Sequence, residues 1–217
     1  TGGESGVSQS DIQKPYTELR RHRGPTDPIR ITLLEKRGSH TGHNNLVSNW
    51  PDIVSSVSAM AGADRAAPSQ VKILVQNVDP SVLSFTEQVR LMHNTDVSVS
   101  LWGGVTAMNF LLPPNSVQVI ISNWWPIGAE PRGNEAKECM DYESDWRGGV
   151  GLYGPKALLF CVRSPKRNMN GKTFPAPVDV ESLSKLVRRA VRYVHHKRLR
   201  DVRAGPPRGS LSNTKAT

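Results

Sequence analysis

The chain has 217 residues, with 28 Lys and Arg against 19 Asp and Glu, a formal net charge of +9 and an isoelectric point near 9.9. That length suits one domain or one lobe of a larger protein, and a basic surface attracts polyanions: nucleic acid, anionic headgroups or phosphate-bearing small molecules. No run of about 18 apolar residues marks a membrane span, and Cys139 and Cys161 are too few for a four-cysteine zinc site, leaving one disulfide or two buried thiols.

Residues 1–28 read as a small, polar lead-in with a short helical or extended stretch around Ile12, Tyr16 and Leu19, broken by Pro25 and Pro28. Ile29 to Leu34 is apolar, β-branched and bounded by breakers, and predicts a buried strand. After the polar loop 35–45, Leu46, Trp50, Ile53, Val57 and Met60 recur at helical spacing, with Asn44 and Asn45 as N-cap candidates and Pro51 marking an alternative helix start. Val71 to Val75 predicts a second strand. Leu83 to Met92 predicts a helix, with Ser84 and Glu87 at capping-box spacing. Asp96 to Leu101 alternates as a third strand, Val105 to Leu112 follows a glycine pair as a short helix, and Val117 to Ile121 predicts a fourth strand. Residues 123–177 form a loop-rich insert containing Trp124, Trp125, Trp146, several acids and one strand-like run, Ala157 to Val162. Val178 to Lys197 carries a clean helical stripe, and the residues after Asp201 read as a disordered tail. Strands and helices in alternation predict an α/β fold: a Rossmann-like domain over residues 29–200 whose parallel sheet spans about residues 29–122, with helices on both faces.

Ligands of open α/β sheets bind at the carboxyl ends of the strands. There the run Trp102-Gly103-Gly104-Val105-Thr106 closes the third strand and opens a helix. A glycine pair lets backbone N–H groups approach an anion, and the helix dipole adds roughly half a positive charge. The same pair also serves a purely structural tight turn; the run has neither a GxGxxG pattern nor the Lys-Ser/Thr ending of a Walker loop. Arg37, just past the first strand, offers a fork for phosphate oxygens, or is a solvated loop arginine. Glu87 is either a cap or an acceptor for ribose hydroxyls. His40 and His43 lack a third ligand within sequence reach and favour a polar loop over a metal site. His195 and His196, near the end of the last helix, read as structural, and Met60, Met92 and Met108 as core.

Three runs also resemble a known family. Ser84-Phe85-Thr86-Glu87-Gln88-Val89, then Asp96-Val97-Ser98-Val99, then Leu101 through Val117 are similar to the carboxyl half of family 61 glycosyltransferases. That family's pattern is Phe-x-Glu-Gln, Ala-Asp-Val, His-Gly-Ala-Gly-Leu-Thr-Asn and Phe-x-Pro-x-Gly-Ser. Ile31 through Ser39 is similar to the strand ending in Arg-Arg-x-x-x-Arg. The resemblance covers residues 29–125. Trp102 stands where the family has histidine, Gly103-Gly104-Val105 where it has Gly-Ala-Gly, and Asn115 where it has glycine; its second arginine falls at His40 or Thr41.

The resemblance implies one lobe of a two-lobe GT-B-type enzyme of the Golgi or endoplasmic reticulum lumen, binding a nucleotide sugar, UDP-linked. Arg37 would hold the diphosphate, Gly103, Gly104, Val105 and Thr106 would present the turn, and Phe85 and Glu87 would lie near the nucleoside. Transfer would be inverting, to a protein or polysaccharide acceptor. Arg37 and helix N–H groups would replace a metal ion in stabilising the departing diphosphate, so no metal or cofactor is implied. The implied partners are the nucleotide sugar and a glycan or glycoprotein acceptor, with a membrane engaged only through a segment outside this sequence. No catalytic base is assignable. In a secretory compartment Cys139 and Cys161 would form a disulfide between the acidic insert and the late strand. Two other readings remain open: a non-catalytic relative acting as a scaffold, and a basic nucleotide- or RNA-binding module built on Arg188, Arg189, Arg192, Lys197, Arg198, Arg200 and Arg203. The last is disfavoured because those cations are not interleaved with a series of aromatics for base stacking.

Overall fold

The computed structural model describes residues 23–35, 47–61, 71–101, 104–122, 155–162 and 177–204. Five strands form one parallel sheet in the order β2-β1-β3-β4-β5: β1 Ile29–Leu34, β2 Ile73–Val78, β3 Val97–Leu101, β4 Val117–Ser122 and β5 Lys156–Cys161. Three α-helices accompany them: α1 Trp50–Ser58, α2 Phe85–His93 and α3 Val180–Ala204. A 3-10 helix, Gly104–Leu111, joins β3 to β4. The expected α/β architecture with helices on both faces is what the chain adopts.

Strand alternation divides the sheet into two unlike faces. On one, Ile29, Ile31 and Leu33 of β1, Val97 and Val99 of β3, and Val117 and Val119 of β4 pack in a single cluster with Ile53 and Val57 of α1 and Leu183, Val187, Ala190 and Val194 of α3. On the other, Leu34 packs with Met92 of α2 and with Met108 and Leu112 around the 3-10 helix. Met60, Met92 and Met108 are all buried, as their spacing indicates.

Helix starts follow local chemistry. Pro51 occupies the first turn of α1, where its missing N–H costs nothing, so the stripe from Leu46 becomes helical only at Trp50. Asn49, rather than Asn44 or Asn45, is the N-cap residue, and its side chain is committed elsewhere: Nδ2 donates to Val178 O at 3.0 Å and Oδ1 accepts from Val178 N at 2.8 Å. This two-point clasp ties the start of α1 to the lead-in of α3. At α3, Asp179 accepts from Ser182 N at 3.2 Å and from Ser182 Oγ at 2.7 Å, capping the first turn. The helix then runs to Ala204, past Asp201 where a tail was expected. Arg198 and Asp201 bond back onto the domain and hold its last turns.

Candidate ligand-binding edge

In a parallel sheet every strand ends at the same edge. β1 ends at Leu34, β2 at Val78 and β3 at Leu101, and the strand order reverses between β1 and β3. A crevice opens outside the carboxyl ends at such a reversal, because the two following connections leave toward opposite faces. β1 leads here into the segment carrying Arg37, and β3 into the glycine pair. Arg37 and Gly103 lie outside the described residues, as do Lys36, Trp102, His40, His43 and Cys139; the disulfide expectation therefore falls outside them as well.

The other expected site residues are placed at this edge with varied environments. Gly104 opens the 3-10 helix. Val105 is half-buried against the Leu34–Met92 cluster. Thr106 is buried, and its Oγ1 donates to Leu101 O at 3.1 Å, fastening the turn to the end of β3. Phe85 starts α2 and is 72% exposed, an uncommon state for a phenyl ring.

Glu87 is the third residue of α2 and completes a capping box. Its Oε2 accepts from Ser84 N at 2.8 Å and from Ser84 Oγ at 2.6 Å, and Ser84 Oγ accepts from Glu87 N at 3.4 Å. These bonds favour the ionised carboxylate and hold its pKa below the ordinary value, the Ser84 side chain contributing most. Of the two roles weighed for Glu87, the structure assigns the cap.

A further carboxylate, Glu35, also stands at this edge. Glu35 directly follows β1, and its Oε2 accepts from Asn77 Nδ2 at 2.8 Å; Asn77 Oδ1 in turn accepts from Trp50 Nε1 at 3.3 Å. The relay links the ends of β1 and β2 to the start of α1. Its sequence signal was the acid at the first position after a buried strand.

The opposite, amino edge holds a buried cluster of charge among the described residues. Asp96, just before β3, accepts from Arg198 Nη2 at 2.6 Å and from the Arg30 backbone N at 2.8 Å, and lies 2.8 Å from Arg23 Nη1. Arg198 also donates to Asp27 O at 2.9 Å. Burial pulls the Arg23 guanidinium below its ordinary pKa, and the Asp96 charge opposes that shift. This knot joins the lead-in, β1, β3 and α3, and its role is structural. On α3, His195 is buried and His196 exposed; burial, with smaller contributions from His196 and Arg198, lowers the His195 pKa. Among the described residues no group of three metal-binding side chains forms, and no helix is long and apolar enough to cross a membrane.

No family model matches the chain, and a search of curated proteins gives no match. Among solved structures, the chain is similar to the flavodoxin-like domain of a Synechococcus sp. protein, with 11% identity, a TM-score of 0.36, and coverage of 80% of this chain and 99% of that one. The strand order and parallel pairing themselves define the class: a doubly wound, flavodoxin-like α/β fold with its reversal between β1 and β3.

Proposed function

We propose that the chain is the donor-binding lobe of a metal-independent glycosyltransferase, taking a nucleotide sugar at the carboxyl edge between β1 and β3. One observation carries the reading: the strand order reverses where the Arg37 segment and the Gly103-Gly104 turn leave the sheet. Arg37 supplies the full positive charge for the diphosphate, and the turn that Thr106 fastens supplies backbone N–H groups. Phe85 offers an exposed ring for the nucleoside. In sugar transfer the same cation and dipoles stabilise the departing diphosphate. The acceptor is a protein or polysaccharide.

Calorimetry with uridine and guanosine diphosphates tests this. Losing a charge-assisted hydrogen bond costs about 1.5–3 kcal/mol, so Arg37→Ala weakens binding roughly tenfold to a hundredfold, and Arg37→Lys recovers part of it. Arg192→Ala, on the outer face of α3, leaves it unchanged. Equal affinity in wild type and Arg37→Ala, or no nucleotide binding by wild type, removes the donor-site reading. The non-catalytic scaffold then leads; the observation in its favour is that Glu87 and Thr106 direct polar atoms into the fold's own caps and turns.

A further inference from the structure

Eight residues is long for a 3-10 helix; runs beyond about three or four are uncommon, because the hydrogen-bond geometry is poorer than in an α-helix. Two features hold Gly104–Leu111 in that form. The first is distance. The segment runs back along β3 from the Leu101 end toward Ser98, and the five residues of β3 span about 16 Å at roughly 3.3 Å each. Eight residues cover about 16 Å at the 3-10 rise of roughly 2.0 Å, but only about 12 Å at the α rise of roughly 1.5 Å. The second is a side-chain pattern of period three, which is the 3-10 repeat. Val105, Met108 and Leu111 pack into the Leu34–Met92 cluster. Ala107 and Phe110 are exposed, while Thr106 and Asn109 are buried and bond to β3. In an α-helix three residues advance about 300°, so Thr106 and Asn109 would diverge by about 60° and no longer share one line along the strand.

Asn109 is the far anchor of this strut. Its Oδ1 accepts from Ser98 Oγ at 2.7 Å, and its Nδ2 donates to Ser100 Oγ at 3.4 Å. The near anchor is the Thr106 bond to Leu101 O. Both grip the same strand, so together they fix the rotation of the helix about its axis. Burial alone does not call for an amide here: Leu112, next along the same ridge, is buried and apolar. Three buried polar side chains, Asn109, Ser98 and Ser100, contribute direction more than stability, since their bonds chiefly offset desolvation. Direction matters at the other end of the strut. The N–H groups that open the helix, from Gly104 on, are those offered to a diphosphate, and the rotation of the helix sets their aim. Asn109 lies about 10 Å along the axis from Gly104, at roughly 2.0 Å per residue, so it acts through the helix and not by touching the ligand.

We propose that Asn109 is a positioning residue for the nucleotide: through Ser98 and Ser100 it sets the rotation of the 3-10 helix, and with it the aim of the Gly104 turn at the diphosphate. The assignment rests on the donor-edge reading above. Calorimetry with uridine diphosphate on the full chain, beside thermal unfolding, tests it with three variants. Asn109→Leu removes the anchor and leaves two buried hydroxyls unpaired. It lowers the melting temperature and weakens uridine diphosphate binding roughly tenfold, about the loss of one hydrogen bond to a charged group. Asn109→Leu/Ser98→Ala/Ser100→Ala removes those hydroxyls as well and makes room for the leucine. Its melting temperature returns toward wild type, while binding stays weak because the anchor is still absent. Ile31→Val, in the cluster on the opposite face, lowers the melting temperature and leaves binding unchanged. Affinity that follows melting temperature across the set, recovering in the triple variant or falling with Ile31→Val, overturns the proposal and makes Asn109 a core residue only. If wild type binds no uridine diphosphate, the donor reading fails by itself, and backbone order parameters at Gly104–Thr106 decide the positioning role. They are about 0.85 in wild type and fall below about 0.6 in the triple variant if Asn109 sets the turn; equal values in the two proteins overturn it.

Discussion

The two faces of the sheet are built from alternate residues of the same strands, yet they are chemically opposite. Toward α1 and α3 the strands present Ile, Leu and Val almost without interruption. Toward α2 and the 3-10 helix, β1 presents Thr32, β3 presents Ser98 and Ser100, and β4 presents Gln118, all fully buried. Thr32, Ser98 and Ser100 survive burial by pairing. Thr32 Oγ1 lies 2.6 Å from Thr95 Oγ1 and accepts from Gln76 Nε2 at 2.9 Å; Ser98 Oγ donates to Asn109 Oδ1 at 2.7 Å. Since a net hydrogen bond contributes only about 0.5–1.5 kcal/mol, this pairing offsets desolvation rather than driving folding. Non-directional burial on the α1/α3 face supplies the stability, and the polar face fixes how the 3-10 helix, and with it the Gly104 turn, sits on β3.

The largest effect should come from breaking the charged knot that fastens α3 to the stable face. Asp96 meets Arg198, which is only 6% exposed, and Arg23. Asp96→Ala leaves Arg198 buried without its carboxylate, and such a break costs about 3–5 kcal/mol. Urea denaturation should show that loss. A loss below about 1 kcal/mol would mean that Asp27 O alone satisfies Arg198, and the knot would not be what holds the end of α3.

Much of this division was readable from the sequence, for a physical reason. Strand runs such as IRITLL and VQVII carry their alternation and β-branching locally, so their existence needed no tertiary information. The α3 stripe was equally plain. What stayed hidden depended on distant partners. The Asn49 side chain clasps Val178, 129 residues away, instead of capping α1. Asp96 was read as the start of a strand and as part of a family-like run, and its ion pairs stayed hidden because Arg23 and Arg198 approach it from the two ends of the domain. At the ligand edge the glycine pair and capping box were legible because both are short-range patterns. The Glu35–Asn77–Trp50 relay was not, because it exists only once β1 and β2 lie side by side.

A smaller effect, on the apolar face, sharpens the contrast. Ile31 is fully buried in the main cluster. Ile31→Ala removes three methyl or methylene groups and leaves a cavity between β1 and the helices, for a cost of about 3 kcal/mol within the usual range of roughly 2–5. Equilibrium unfolding in urea measures it, with an unchanged slope expected if the fold stays intact. A cost under about 1 kcal/mol would mean that the cluster relaxes around the gap and is less closely packed than the strand alternation implies.

The smallest effect should have the opposite sign, and it lies two strands over on the polar face. Gln118 sits on β4 in register with Ser98, fully buried, and among the described residues neither Nε2 nor Oε1 has a hydrogen-bond partner. A buried polar group left unsatisfied costs about 1–3 kcal/mol, whereas an apolar group of similar shape carries no such penalty. Gln118→Leu is close in volume and keeps the strand. It should therefore be neutral or stabilise by up to about 1 kcal/mol, a rise in melting temperature of roughly 2–4 °C for a domain of this size. Thermal unfolding of wild type, Gln118→Leu and Ile31→Ala side by side gives the comparison its plainest form. If Gln118→Leu is instead destabilising by more than about 1 kcal/mol, the amide is satisfied by an ordered water or by the β4–β5 connection, and the polar face contributes more to stability than its described bonds account for.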